Sequence, residues 1–256
     1  IVFHSDARPD FAPFAEELGT LRGFQYAGDL ASELAAGRLD RSNALDLLDD
    51  MLAIREMEEM IVRLRGGGGY EPLPGYDYRG PTHVSIGQEA SAVGASSVLR
   101  LTDNVTSSHR GHGDAIAKGF SGLRQMELEG LRARLGRSDG SREELLAAAL
   151  EEHVFRVIAE LFGKDEGYCR GRGGGMHIGD FATGNLGANA IVGGSVPIAT
   201  GAAMAHRYAG SDGVVCCFAG AGAYANGVVL EALNWAAQSQ WTNHYAGERP
   251  YGLPII

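Results

Sequence analysis

A strand followed at once by a glycine-rich turn is the segment of this chain best suited to hold an anion. The run 214–219 is wholly apolar, which predicts a strand buried on both faces, and Gly220, Ala221 and Gly222 follow it. A helical period then extends from Ala225 to about residue 238. Strand, glycine turn and helix together place backbone N–H groups and a helix N-terminus beside a phosphate. The segment therefore predicts a diphosphate site, and a tight turn without a ligand is the alternative interpretation.

A second candidate site lies in the sequence SHRGHG, residues 108–113, directly after a short strand predicted over 105–107. His109, Arg110 and His112 stand between glycines, where they suit an anion better than they suit a core. The two histidines are alternatively a metal pair, but an HxxH in a loop is a weak signal for a metal. Anion binding is the preferred interpretation, and no metal ligand is assigned.

Composition and charge exclude several classes of function. The chain has 256 residues, of which 45% are hydrophobic. This is enough to bury a substantial core, in one large domain or one and a half domains. A net charge of −10 argues against nucleic acid as a partner. No apolar run is long enough to span a membrane, and the first residues lack the pattern of a signal peptide. The three cysteines form no CxxC pair, so we expect a reducing, cytoplasmic location.

The elements that must position these residues follow from helix signals and glycine turns. Residues 1–40, with scattered prolines and aromatic residues, predict an N-terminal arm, and residues 41–256 form the predicted main domain. An apolar stripe over 45–64 predicts a long packed helix, and small residues over 88–99 predict a second helix. The segment 253–256 has the character of a strand that is just beginning, so we expect the sequence to be a fragment of a longer domain.

The middle of the chain carries one clear helix and one unusual loop. Ser141 and Glu144 form a capping box that opens an amphipathic helix to about Phe162, and His153 within it is expected to be structural or solvated. Residues 163–175 are polar and rich in glycine. We expect this loop to be mobile, or to be ordered by a ligand or a neighbouring subunit.

Five stretches of the sequence resemble one known family in both order and approximate spacing. They are THVSIGQEA (82–90), VTSSHRGHG (105–113), GRGGGMH (171–177), AIVGGSVPIATGAA (190–203) and GAGAYANG (220–227). The family is the alpha subunit of the thiamine-diphosphate-dependent, decarboxylating component of 2-oxo acid dehydrogenase complexes of the pyruvate, branched-chain and acetoin type. The resemblance runs from about residue 40 to the end. It implies an α/β, thiamine-diphosphate-binding fold in which helices flank a parallel sheet.

The resemblance also implies roles for individual residues. His83 stands where the family has a histidine near the bound 2-oxo acid, and His112 where a histidine lines the same pocket, so both are candidates for proton transfer. Arg110 matches the arginine that pairs with the diphosphate, and His109 replaces a tyrosine that touches it. The other implied cofactor contacts are Ala190 and Val192, beside the aminopyrimidine ring, and the turn of Gly220, Ala221, Gly222 and Ala223.

One position departs from the family in a way that matters for chemistry. Ala221 stands where the family has an aspartate whose carboxylate binds magnesium, and alanine offers no oxygen ligand. The family's second ligand, an asparagine about thirty residues later, would lie beyond Ile256, and neither Asn234 nor Asn243 is a convincing substitute. We therefore expect thiamine diphosphate as the cofactor, consider Mg²⁺ doubtful, and assign no metal-binding residue.

The activity implied by the resemblance is oxidative decarboxylation of a small 2-oxo acid, with transfer of the acyl group to a lipoyl carrier. The implied partners are a lipoyl-bearing acyltransferase and a beta subunit, which contributes the glutamate that activates the pyrimidine ring. The thin helix face over 201–205 and the N-terminal arm favour an assembly of two alpha and two beta subunits.

Two alternatives remain open at the level of the sequence. The first is a non-catalytic homologue or scaffold subunit, which Ala221 favours and which the retained Arg110, His83 and His112 oppose. The second is a Rossmann-type NAD-dependent oxidoreductase, because the turn that starts at residue 220 fits GxGxxA. That fingerprint expects an acidic residue about twenty positions later, and residues 237–247 contain none.

Overall fold

A computed structural model describes residues 25–66, 69–76, 78–80, 83–238 and 252–256. The chain divides between Arg41 and Ser42 into two units. In the first unit, helix α1 (Leu30–Ala35) begins at a capping box in which Asp29 and Ser32 exchange hydrogen bonds of 2.8 Å. The first 24 residues of the predicted arm lie outside the described residues, as do Asn243 and its neighbours in 239–251. The arm and its boundary at residue 40 stay predictions.

Three parallel strands form the sheet in the described part of the second unit. They are β1 (Asn104–Ser108), β2 (Asn185–Asn189) and β3 (Val215–Cys217), in the order β2-β1-β3. Val215 and Cys216 are buried, as expected for a strand of a parallel sheet that helices cover. The strand is nevertheless shorter than the predicted run 214–219, and the other residues of that run are half-buried. A parallel bridge joins Val215 to Ile255, in agreement with the strand predicted to begin near the end of the chain. The predicted mixed α/β architecture with a parallel sheet is confirmed.

The helices predicted over 45–64, 88–99, 141–162 and 225–238 each have a counterpart in the structure, whereas the helices over 30–35, 112–125 and 128–135 were not predicted. Ser141 Oγ accepts a hydrogen bond from the backbone N–H of Glu144 at 3.2 Å, and the Glu144 carboxylate accepts one from the N–H of Ser141 at 2.9 Å, so the predicted capping box is present. None of the described helices is long and apolar enough to cross a membrane. Beyond α1, the helices are α2 (Arg41–Arg65), α3 (Glu89–Ser97), α4 (His112–Gln125), α5 (Leu128–Leu135), α6 (Arg142–Leu161), α7 (Ser195–Ala209) and α8 (Gly227–Ala237).

The largest cluster of buried side chains lies where α2, α4 and α6 pack together. Ile54, Ile61, Ile116 and Val157 are buried there with exposures of 0–1%. The apolar stripe predicted for the long helix is buried only in its second half. In its first half the leucines remain about half exposed, at positions Leu45, Leu48 and Leu52. The predicted packing of the stripe is therefore wrong for these three leucines, although Leu47 and Met51 in the same half of the helix pack against the cluster.

The glycine-rich loop after α6 is ordered by a side chain of the chain itself. The fully buried carboxylate of Glu160 accepts hydrogen bonds from the backbone N–H groups of Cys169 and Gly171, at 2.7 and 2.9 Å, and of Gly173 and Gly174, at 2.7 and 3.0 Å. Four donors satisfy one buried charge, which offsets the cost of its desolvation. The expectation of a loop that needs a ligand or a neighbouring subunit for order is corrected by this internal anion.

His153 of α6 has the structural role expected of it. Its ring is fully buried, with Nε2 at 3.1 Å from the carbonyl oxygen of Ala115 and Nδ1 at 2.5 Å from the hydroxyl of Tyr168. A β-carbon at Gly119 of α4 would meet this ring at 2.0 Å, so the close approach of α4 and α6 requires glycine there. His153 therefore joins two core helices.

Candidate functional site

A cavity of about 420 Å³ opens at the carboxyl ends of β1 and β3. Ligands of open parallel sheets bind at this edge, where the strand-to-helix connections converge. The connection from β1 to α4, the start of α7 and the segment after β3 each contribute to its walls. Six residues predicted for cofactor binding line it together: His109, Arg110, Val192, Gly220, Gly222 and Ala223.

The connection from β1 to α4 supplies the cationic wall. Arg110 is exposed, and its guanidinium makes no hydrogen bond or ion pair with any residue that the structure describes. His109 is half-buried, and its Nδ1 is buried without a hydrogen-bond partner among the described residues. Burial, and after it the neighbouring His83, lowers the pKa of His109, so its ring is neutral at pH 7. A free guanidinium beside a neutral ring donor is a fitting wall for an anion.

The segment after β3 supplies an open backbone wall. Gly220 precedes a short 3-10 helix, Ala221–Ala225, which leads through Asn226 into α8. A β-carbon at Gly220 or Gly222 would meet no atom within 4 Å, so the space above both glycines is open. Neither glycine is required by neighbouring protein atoms, and their bare backbone leaves room for a ligand to approach. This is the arrangement expected for a phosphate, although the α-helix begins at residue 227 instead of residue 225.

The start of α7 forms the third wall. Ser195 is its first residue, lines the cavity and is 3% exposed. The turn before it contains Gly193 at φ +89°, where a β-carbon would also lie 3.0 Å from Val229 Cγ2, so this position requires glycine. Asn226 donates a hydrogen bond of 3.1 Å to the carbonyl oxygen of Val192, which ties this turn to the segment after β3. The N-terminus of α7 thereby adds a positive dipole end to the cavity.

Four predicted residues lie outside the lining of this cavity. Ala190 is half-buried just after β2, and the methyl group of Ala221 is exposed. His83 is exposed, and its ring packs edge-to-face against that of His109 with 5.3 Å between centroids. His112 is 3% exposed, and its Nδ1 lies 2.6 Å from Glu58 Oε1. The two histidines proposed for proton transfer thus occupy different places, one beside the cavity wall and one behind it.

One carboxylate of the cavity, Asp114, is not predicted from the sequence. It lies in the first turn of α4, and its Oδ2 accepts a hydrogen bond of 2.5 Å from Ser107 Oγ. Burial raises the pKa of Asp114 to about 6. An acidic residue in a first helical turn is normally explained by the helix dipole, so the sequence offered no signal that this side chain faces a ligand cavity.

A larger hollow of about 550 Å³ lies against α2, α4 and α6, away from the predicted residues. Its carboxylates include Asp50, which already forms a two-pronged ion pair with Arg124 at 2.6 and 2.7 Å. No residue predicted for chemistry lines it. The smaller cavity at the sheet edge is therefore the candidate site.

Comparison with known proteins identifies the family. The family model described as dehydrogenase E1 component matches residues 76–156 and 140–242. The chain belongs to the dehydrogenase E1 component family. The predicted resemblance to E1 alpha subunits is confirmed, and the matched region contains all the residues that line the candidate cavity.

Individual relatives within the E1 family show the same relationship. The chain is 37% identical over 199 residues to the alpha subunit of acetoin:2,6-dichlorophenolindophenol oxidoreductase of Bacillus subtilis, which covers 78% of this chain and 48% of that protein. It is 34% identical over 207 residues to the subunit of the same name from Cupriavidus necator, covering 81% and 50%. It is 34% identical over 187 residues to the mitochondrial pyruvate dehydrogenase E1 alpha subunit of Chaetomium thermophilum, covering 73% and 35%. The chain thus spans between a third and a half of these relatives.

The E1 cavity of this chain fits a diphosphate better than it fits a metal held by protein alone. Arg110, the open backbone at Gly220 and Gly222, and the start of α7 are all suited to an anion. Among the described residues, no three or more His, Cys, Asp or Glu side chains are grouped so that they could hold a metal ion. Ala221 offers no oxygen, which leaves Asp114 as the one carboxylate in the described lining of the cavity. Mg²⁺ is commonly held by one carboxylate, phosphate oxygens and water, so the absence of a protein cage does not oppose it.

Proposed function

We propose that this chain is an alpha subunit of a thiamine-diphosphate-dependent 2-oxo acid dehydrogenase and binds the diphosphate of its cofactor in the cavity at the sheet edge. The observation that carries this proposal is the meeting of Arg110, the open glycine turn and the N-terminus of α7 at one cavity of an E1 family member. When bound, thiamine diphosphate supplies the electron sink for decarboxylation of a 2-oxo acid.

The residues of the cavity hold and orient the cofactor. The guanidinium of Arg110 is free to pair with phosphate oxygens, and a planar fork suits this contact better than a lysine does. His109 is neutral and half-buried, so it donates a hydrogen bond without adding charge. Backbone N–H groups at Gly220 and Gly222 complete the anion site, and Val192 supports the thiamine rings.

The 2-oxo acid would approach from the side of His83. This histidine is exposed and lies against His109, so it stands at the rim of the cavity and can exchange protons with solvent. His112, in contrast, is buried against Glu58 and has no path to solvent water comparable to that of His83. His83 is accordingly the stronger candidate for contact with the substrate, and His112 for a role within the protein.

The full reaction needs partners in this proposal. The activating glutamate of the pyrimidine comes from a beta subunit, and the acyl group leaves on the lipoyl group of an acyltransferase. The proposed assembly has two alpha and two beta subunits. It is supported by apolar side chains that remain exposed on α7 and α8, with Tyr208, Leu230 and Trp235 at 65%, 59% and 48%.

A non-catalytic subunit is the second candidate function, and Ala221 is the observation that favours it. Both candidates predict that the cavity admits a diphosphate, but they differ in the metal dependence of binding. The dinucleotide-binding alternative has lost its basis, because the chain belongs to the E1 family and the turn after β3 leads into a 3-10 helix.

Calorimetric titration with thiamine diphosphate, with and without Mg²⁺, separates the two candidates, because only the catalytic subunit is expected to bind the cofactor tightly and in a Mg²⁺-dependent way. We compare the protein with its Ala221→Asp variant, because a carboxylate at this turn gives the ion a hard oxygen ligand. Weak binding that becomes Mg²⁺-dependent and tighter in the variant supports the assignment of this turn to the metal. Equal affinity of the two proteins, with or without Mg²⁺, would show that the turn is not the metal site.

A further inference from the structure

A buried carboxylate behind the candidate cavity joins the two segments that carry its polar side chains. Glu58 of α2 is fully buried, and its Oε1 accepts a hydrogen bond of 2.6 Å from Ser85 Oγ. The same oxygen lies 2.6 Å from Nδ1 of His112. Ser85 and His112 are each 3% exposed, so the three side chains form a polar cluster closed to solvent.

Both partners of Glu58 lie next to residues of the candidate site. Ser85 is two residues beyond His83, and His112 is two residues beyond Arg110 and three beyond His109. At the rim of the cavity the rings of His83 and His109 are in edge-to-face contact. The position of one carboxylate oxygen therefore fixes both segments relative to each other.

The hydrogen bonds of the cluster direct His112 away from the cavity. Nδ1 of His112 is occupied by its 2.6 Å contact with Glu58 Oε1. The other ring nitrogen, Nε2, faces the buried backbone of Gly175, where a β-carbon would approach it to 3.1 Å. His112 does not line the cavity. It acts on the site through the segment it anchors.

The cluster is a poor device for stability alone. Burying a polar side chain is costly unless each of its polar atoms is hydrogen-bonded, and Glu58 Oε2 is buried without a partner among the described residues. Packed apolar side chains stabilise a core at least as well as a buried ion pair does. What the polar cluster adds is a defined geometry for two loops, because hydrogen bonds are directional.

We propose that Glu58 is a positioning residue of the candidate site, which holds the His83 segment and the His109–Arg110 segment in register through Ser85 and His112. The inference rests on the proposed binding of thiamine diphosphate in the cavity. It assigns His112 a positioning role in place of direct proton transfer.

The test is a titration of thiamine diphosphate and Mg²⁺ into the intact protein and its variants, monitored by calorimetry. Glu58→Leu removes the carboxylate oxygen that contacts both Ser85 and His112. Cofactor binding is expected to weaken by about tenfold or more, the size of the effect when a buried hydrogen-bonded carboxylate is lost. Glu58→Gln keeps an acceptor oxygen for Ser85 and His112, and is expected to restore affinity to within about threefold.

Asp50→Leu is the matched control. Asp50 is another buried carboxylate of α2 that contacts α4, through Arg124, but it lies by the other hollow. Its removal is expected to lower the melting temperature and to leave cofactor affinity unchanged within about threefold. Equal losses of affinity in Glu58→Leu and Asp50→Leu, or no loss in Glu58→Leu, would overturn the proposal. If Glu58→Leu does not fold, Ser85→Ala removes only the hydrogen bond between Ser85 and Glu58. Unchanged cofactor affinity in Ser85→Ala would then contradict the proposal.

A second measurement separates this inference from the proposed function. If the unaltered protein has no affinity for thiamine diphosphate, the proposed function fails. The positioning of the two segments is then decided by ¹⁵N NMR of labelled histidines. Glu58→Leu is expected to shift the ring resonances of His83 and His109 as well as His112. A change confined to His112 would show that Glu58 does not hold the two segments in register.

Discussion

Asp114 shares the cavity with Arg110, and its negative charge would oppose that of the diphosphate proposed to bind there. The pKa of its carboxyl is raised from 3.8 to about 6 by burial. Below about pH 4 the group is protonated in the folded and unfolded states alike. Between about pH 4 and 6 the folded state retains a proton that the unfolded state has released, so the free energy of unfolding falls as pH rises. Above pH 6 the Asp114 carboxylate is ionised in both states, and the full cost of burying its charge lowers the free energy of unfolding.

We therefore predict that Asp114→Asn stabilises the protein at pH 8 by about 2–3 kcal/mol, and by much less at pH 4. Asparagine keeps an oxygen for the hydroxyl of Ser107, so the local hydrogen bond survives. Urea unfolding at the two pH values measures the difference, with Asp139→Asn at an exposed position as the control. A gain in the free energy of unfolding that is equal at pH 4 and pH 8, or equal to that of the control, would contradict a raised pKa of Asp114.

Among individual residues, the sequence predicted those site residues whose side-chain type is unusual for their position in the chain. Arg110 and His109 stand between glycines after a strand, and the structure brings both to one cavity. Asp114 and Glu58 gave no such signal. One occupies a first helical turn, where acids are common, and the other lies within the apolar stripe of a long helix among several charged residues. Their environments depend on packing between segments far apart in sequence.

At the scale of elements, the loop after α6 is built on one carboxylate. Glu160→Gln replaces an anion that accepts from four backbone N–H groups by an amide with one oxygen and one NH₂ group. The backbone N–H groups that faced the replaced oxygen then lose their acceptor and face the NH₂ group of the glutamine, which is itself a donor. We predict a loss of about 2–3 kcal/mol in the free energy of unfolding, in the range for hydrogen bonds to a charged group.

Hydrogen exchange locates this effect. Amide protection at Gly171 and Gly173 is expected to fall more than protection in α4, because the loop loses its acceptor while the core helices keep their packing. The matched control is Glu151→Gln, at an exposed position of the same helix. Equal destabilisation by both variants, or unchanged protection at the two glycines, would mean that the carboxylate does not organise the loop.

The sequence predicted those elements that depend on interactions between residues close together in the chain. The capping box at Ser141 and Glu144 involves residues three apart, and both of its hydrogen bonds are present. The order of the loop that follows α6 has no local signal in the sequence, because its acceptor, Glu160, belongs to the preceding helix. The exposed half of the stripe on α2 was misjudged for a related reason. Periodicity shows which face is apolar, but it does not show whether this chain covers that face.

At the scale of the whole molecule, family membership and the candidate site rest on the same region of the chain. The E1 family model covers residues 76–242, and the walls of the cavity lie between residues 88 and 223. The order of the five motifs was the strongest signal in the sequence, because each motif alone fits several folds. The chain spans between a third and a half of its relatives, so the reaction and its partners remain proposals that depend on the cavity.

Whether the cavity holds the cofactor's diphosphate is tested most directly by the affinity for thiamine diphosphate, in the presence of Mg²⁺, of the intact protein and of Arg110→Ala. The guanidinium is the cation that faces the cavity without a partner among the described residues. Its removal is expected to weaken binding by about 1.5–3 kcal/mol, or about 10- to 150-fold. Arg137→Ala, at an exposed position beyond α5, controls for the loss of one positive charge. A large loss is expected in Arg110→Ala alone, and unchanged affinity in that variant would show that Arg110 does not bind the diphosphate in this cavity.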